Sequence, residues 1–224
     1  MAAVARPPSA SARVVKSIVR GLYEGDYAPG QRLAEPELME QFGVSRSTAR
    51  ESIRRMESEG LVNVLPHRGA VIRRMSADEA LDALMVMELC VGLAARQAAE
   101  RIDASGGRAR FEQIWRELQS YREAPGGYDF IVARNRFYRV ITELSGNQEL
   151  RRIVPSIHVH LIRRDYSATL SERFRDYAGM AEAILAGDGP AAETAARRHI
   201  ATTAALVRQR ADGGDNGANT RRLR

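Results

Sequence analysis

A chain of 224 residues, 44% hydrophobic and 28% charged, is long enough for one large core or two modest ones, and its charge pattern favours two. No apolar h-region and no 18-residue apolar run occur, so neither secretion nor membrane spanning is indicated, and the single cysteine, Cys90, fits a reducing cytoplasm. The net charge of +6 is unevenly spread: residues 1–75 carry 12 Lys and Arg against 8 Asp and Glu, whereas residues 76–211 carry 19 against 18. A basic head on a nearly neutral body suggests a polyanion-binding N-terminal third.

In chain order, residues 1–8 (MAAVARPP) read as a mobile arm. Val14, Val15, Ile18, Val19 and Leu22 then recur at helical spacing until Gly25, which predicts a first helix. The run DYAPGQRL reads as a turn that delivers Leu33 to the core. From Glu35 to Gly60 the chain spells a short helix, a Phe42-Gly43-Val44 corner and a longer helix capped by Ser45, the grammar of a helix-turn-helix. On the second helix Ala49, Ile53 and Met56 share one face, with Ser47, Arg50, Glu51 and Arg54 opposite. Arg46 and Thr48 stand in its first turn, where a helix in a major groove presents its reading residues. The alternation from Leu61 to Leu65, a basic Pro66-His67-Arg68-Gly69 tip and Ala70 to Arg73 predict a hairpin.

The phrases PGQRLAEPELMEQFGVSRSTARESIRRMESEGLV and PHRGAVI, in that order, resemble the GntR family of bacterial regulators over about residues 11–74. The resemblance implies a winged helix-turn-helix DNA-binding domain over residues 9–75. Its contacts with double-stranded DNA would come from Arg32, Ser45, Arg46, Ser47, Thr48 and Arg50, and from His67, Arg68 and Gly69 in the wing. Pro36 departs from the pattern, at a place where relatives often carry a DNA-contacting basic or polar residue, so that contact is expected to be lost.

A capping box at Ser76 and Glu79 starts a long helix reaching about Asp103, and further helical periods follow with no strand pattern. The fold class is therefore mainly α: a winged head followed by an antiparallel helical bundle over residues 76–211, with residues 212–224 a disordered tail. The phrases FYRVITELSGNQEL and ILAGDGPAAETAARRHI resemble the FCD effector domain of the FadR-type GntR subgroup.

Many FCD domains bring one aspartate and three histidines to a divalent metal. The matching positions here are Arg134, Tyr138, Tyr177 and His199, of which only His199 is a ligand type, so no metal cofactor is expected. Met87 and Val91 stand where related domains often have an arginine and a glutamate; they either fill core or make an effector pocket more apolar. Arg134 either binds an anion or pairs internally with a helix carboxylate. His158 and His160 point about 200° apart on a helix and cannot chelate together without a partner from elsewhere. No catalytic constellation stands out, so enzymatic activity is not expected.

The resulting expectation is a cytoplasmic, homodimeric repressor. It would read a palindromic operator and answer to a small-molecule effector, a carboxylate, held by Arg134, Tyr138, Tyr177, His199, Met87 and Val91. The alternative is a ligand-independent DNA-binding protein whose helical body only dimerises.

Overall fold

The structure, a computed structural model, describes residues 9–65, 69–123, 127–156 and 170–219, and falls into two compact units that divide between Arg74 and Met75. The first unit opens with α1 (Ala10–Glu24), where Ser9 accepts from the Ala12 amide and Gly25, at φ 93°, ends the helix. Its apolar stripe of Val14, Val15, Ile18 and Leu22 is buried. Gly21 is required there, because a Cβ would stand 2.5 Å from the Tyr27 ring.

The helix-turn-helix follows as α2 (Glu35–Phe42) and α3 (Arg46–Ser58). Gly43 takes the left-handed conformation at the corner, and the Ser45 hydroxyl accepts from the Thr48 amide at 3.2 Å. Ala49, Ile53 and Met56 turn inward, as their spacing predicts, and Ser11 of α1 donates to Glu51 of α3 at 2.7 Å.

The sheet has one strand more than the sequence pattern indicated. β1 (Arg32–Leu33), β2 (Val62–Leu65) and β3 (Gly69–Ile72) form an antiparallel sheet in the order β1-β3-β2, with Arg32 opposite Val71 and Leu65 opposite Gly69. Two residues are too few to show an alternation, so β1 reads as turn until its partner strand is known.

In the second unit α4 (Ala77–Glu100) starts at the Ser76 box: the Ser76 hydroxyl accepts from the Glu79 amide, and the Glu79 carboxylate accepts from the Ser76 amide. After a short 3-10 turn (Ala104–Gly106) come α5 (Gly107–Gln119), α6 (Gly127–Leu144), α7 (Gln148–Ser156), α8 (Leu170–Leu185) and α9 (Gly189–Asn219). Between α6 and α7, Gly146 adopts φ 69° and the Asn147 side chain accepts from the Glu149 and Leu150 amides. α4 packs chiefly on α9, which its glycine permits: a Cβ on Gly92 would meet the Arg197 side chain at 2.7 Å.

The core of this unit is a continuous cluster that includes Leu84, Met87, Val91, Phe111, Trp115, Phe137, Tyr138, Tyr177 and Ile200. One expectation needs correcting. Instead of ending in a disordered tail from residue 212, the chain continues as helix to Asn219. A helix already formed extends by one hydrogen bond per residue without a new nucleus, so the extension does not need the apolar anchors that this stretch lacks. The expected arm (1–8), the wing-tip residues His67 and Arg68, and His158 and His160 lie outside the described residues.

Candidate functional site

The first unit presents a groove of about 690 Å3 between the recognition helix and the wing, with Arg32, Arg46, Arg50 and Arg54 in its lining beside Val64, Leu65 and Gly69. The geometry follows from α3: burying Ala49, Ile53 and Met56 turns Arg46, Ser47, Arg50 and Arg54 outward. Arg46 keeps 75% of its side chain exposed and Arg50 54%, so both guanidinium groups can reach a polyanion. Around the cap, the Ser45 hydroxyl lies 2.8 Å from that of Ser47 and 3.0 Å from that of Thr48, which gathers three small donors at the N-terminal end of the helix. Such an end favours phosphate oxygens through its free amides.

Glu35, at the start of α2, is a residue that the sequence reading missed. Arg50 donates to it through Nε at 3.0 Å, and Arg46 does so at 3.4 Å. The hydrogen bond from Arg50 holds the Glu35 carboxyl below its ordinary value, and Arg46 acts in the same direction. The only sequence signal was an acid at the first position of α2; which arginines it meets depends on how α2 and α3 cross. Pro36 sits in the first turn of α2, where the absent N–H costs nothing, and also lines the groove.

Gly69, assigned to DNA contact by resemblance, has a structural duty as well. Its φ is 84°, and a Cβ there would stand 2.7 Å from the Leu33 carbonyl oxygen, so β1 and β3 can meet only over glycine.

In the second unit three of the expected effector residues converge. The Tyr177 ring lies 4.8 Å from His199 and 6.4 Å from Tyr138, and Tyr138 lies 6.4 Å from His199, centroid to centroid. They come from α8, α9 and α6. Arg134 stands one turn before Tyr138 on α6, is only 3% exposed, and donates to the Asn135 side chain at 2.9 Å. Met87 and Val91 of α4 are buried in the same core cluster.

Asp176, absent from the sequence reading, places its carboxylate 3.2 Å from Nδ1 of His199 and orients that ring. Only its position beside Tyr177 and the shared packing of α8 and α9 could have disclosed it. The site thus offers one imidazole, one carboxylate, two phenols and a buried guanidinium. A guanidinium cannot ligate a cation, and no group of three or more His, Cys, Asp or Glu that could hold a metal ion occurs among the described residues.

Among the described residues no helix is long and apolar enough to cross a membrane. The gntR family of bacterial regulatory proteins matches residues 10–72, and the FCD domain matches residues 79–202. The HTH-type transcriptional repressor RspR of Escherichia coli (strain K12) is 24% identical over 190 residues, 81% of this chain and 82% of that protein. The galactonate operon transcriptional repressor of the same strain is 26% identical over 226 residues, 88% and 96% of the two chains. Among solved structures, E. coli McbR/YncC shares the fold at a TM-score of 0.76 and 19% identity, covering 91% of this chain and 99% of that one. A GntR regulator from Rhodococcus sp. RHA1 does so at 0.72 and 18%, covering 89% and 98%. With a gntR-type head followed by an FCD domain that spans more than half of its length, the chain belongs to the GntR family of bacterial transcriptional regulators and is a regulator, not an enzyme.

Proposed function

We propose that this regulator is a cytoplasmic repressor that binds a palindromic operator as a homodimer, and that a small organic acid entering the FCD domain changes its grip on DNA. Recognition by two copies is expected because one recognition helix reads only a few base pairs, and a two-fold axis matches a palindrome. Two of the relatives named above, RspR and the galactonate operon protein, are repressors, which supports the sign of regulation, and the second name suits an acidic effector.

The observation that carries the effector reading is the placement of a permanent cation, Arg134, one helical turn from a cluster of Tyr138, Tyr177 and His199. A guanidinium can take both oxygens of a carboxylate, while phenolic and imidazole N–H or O–H groups donate to hydroxyls. The apolar side chains of Met87 and Val91 suit a ligand with a hydrophobic portion. No metal is required in this scheme. Coupling to DNA needs only that the acid bind the two arrangements of the regulator with different affinity.

The test is a thermal-shift panel of organic acids on the full chain, followed by titration of the best binder into Arg134→Met, together with elemental analysis of the purified protein. The expected result is a rise in Tm with one acid class, lost in the variant, and no stoichiometric transition metal. A stoichiometric metal, or unchanged affinity in Arg134→Met, would overturn this assignment of the pocket. A chain that no acid stabilises would support the rival reading, a ligand-independent DNA-binding protein whose body only dimerises.

A further inference from the structure

The recognition helix α3 carries Arg46, Arg50, Arg54 and Arg55, and all but one of them are held by carboxylates. Glu35 engages Arg46 at 3.4 Å and Arg50 at 3.0 Å, and Glu59 engages Arg55 at 2.9 Å. Arg54 is exposed and lines the groove between α3 and the wing, yet among the described residues it meets no carboxylate. Glu51, one turn before it, is drawn to the other side of the helix, where it accepts from Ser11 of α1 at 2.7 Å.

The bearing of Arg54 is as distinctive as its freedom. Ala49, Ser52, Ile53 and Met56 are buried and define the inward side of α3. At about 100° per residue, Arg54 lies about 30° from the direction opposite them, Arg50 about 70° and Arg46 about 110°. The two arginines that Glu35 holds therefore lean toward α2, the helix that crosses the DNA backbone when a helix-turn-helix docks. Arg54 points instead straight away from the core, toward the floor of a groove that α3 enters, where the base edges are. Its guanidinium gives up no ion pair on meeting a base, and its planar fork matches O6 and N7 of guanine together.

We propose that Arg54 is a specificity-determining residue that reads a guanine in the major groove. This deepens the DNA-binding reading given above and rests on it. A rise of about 1.5 Å per residue puts Arg54 about 6 Å beyond Arg50 along α3, so its guanine lies roughly two base pairs from the position that Arg50 faces.

The test uses the full chain. Operators are selected from random DNA with the wild type and with Arg54→Ala, circular dichroism checks that the variant folds, and both proteins are titrated with the wild-type operator and with random DNA. The wild-type operator is expected to hold a guanine at a position where Arg54→Ala accepts any base, the other positions being unchanged. On that operator Arg54→Ala should bind about tenfold or more weakly, with a much smaller loss on random DNA. Replacing the guanine by 7-deazaguanine, which lacks the N7 acceptor, should weaken the wild type and leave Arg54→Ala unaffected. Equal losses on operator and random DNA would make Arg54 a phosphate contact and overturn the proposal. So would an Arg54→Ala protein that selects the wild-type operator with unchanged affinity, or a wild type indifferent to 7-deazaguanine. A wild type that enriches no sequence at all would instead overturn the DNA-binding reading on which the proposal rests.

Discussion

The carboxylate of Glu35 stands 3.0 Å from Nε of Arg50, so an acidic side chain engages one of the exposed arginines of α3 that line the groove. Any base or phosphate that takes Arg50 must displace Glu35 or share the guanidinium with it. The exchange is weakly biased, because both side chains are partly exposed and exposed pairs are worth little. In the Glu35→Gln variant, Arg46 and Arg50 should bind random DNA more tightly, and the dependence of log K on log salt should steepen by up to about one. Fluorescence anisotropy over a salt series checks this; an unchanged slope would mean that Glu35 does not compete.

The pH dependence has a definite sign. Because the Glu35 carboxyl is held below its ordinary value, the pair is fully formed above the ordinary carboxylate range and is lost only as pH falls through the lowered value. Binding of random DNA should therefore show no pH dependence from Glu35 near neutrality, where the carboxylate competes in full. The wild type should approach the Glu35→Gln affinity only in acid, a comparison that titration of both proteins makes directly.

If Arg50 reads a base edge, Arg50→Ala should lose about 1 to 3 kcal/mol on the operator and much less on random DNA. Equal losses on both would assign it to phosphate. Operators obtained by selection from random sequence provide the substrate for the measurement.

Gly69→Ala should damage the wing through its backbone. An alanine there must hold φ near 84° and fit a Cβ against the Leu33 carbonyl, which we expect to cost about 1 to 3 kcal/mol. Urea denaturation followed by circular dichroism would register the loss. A Gly69→Ala protein of full stability but weak DNA binding would make Gly69 a contact residue only.

Ser76→Ala removes the acceptor for the Glu79 amide at the start of α4 and should cost about 1 kcal/mol. Restoration by Ser76→Asp, another good cap, would separate the cap from packing. In the same helix, burial pushes the Cys90 thiol up, so its reaction with a disulfide reagent should be slow near neutrality and accelerate as pH rises.

Much of this is legible in the sequence. The corner at Gly43, the cap at Ser45, the inward face of α3 and the box at Ser76 are local devices, each set by a few neighbouring residues, and each is present in the structure. What the sequence concealed were meetings across the fold. β1 exists only because β3 lies beside it; Glu35 meets Arg50 through the α2–α3 crossing; Asp176 reaches His199 from another helix. The convergence of Tyr138, Tyr177 and His199 could be expected by resemblance, although nothing in their spacing requires it.

The rings of the FCD domain have one more consequence. Trp115, the sole tryptophan of the chain and 8% exposed, lies 5.8 Å from Phe137, which in turn lies 5.9 Å from Tyr138 and 5.8 Å from Tyr177. The protein thus carries a native optical probe beside the site where an acid would bind. Excitation absorbed by the two phenols can pass to a single indole, and any ligand that shifts Tyr138 or Tyr177 alters both the donors and the packing around that indole. If an acid enters as proposed, intrinsic emission would follow it in real time, without a dye and without ambiguity over which tryptophan is reporting.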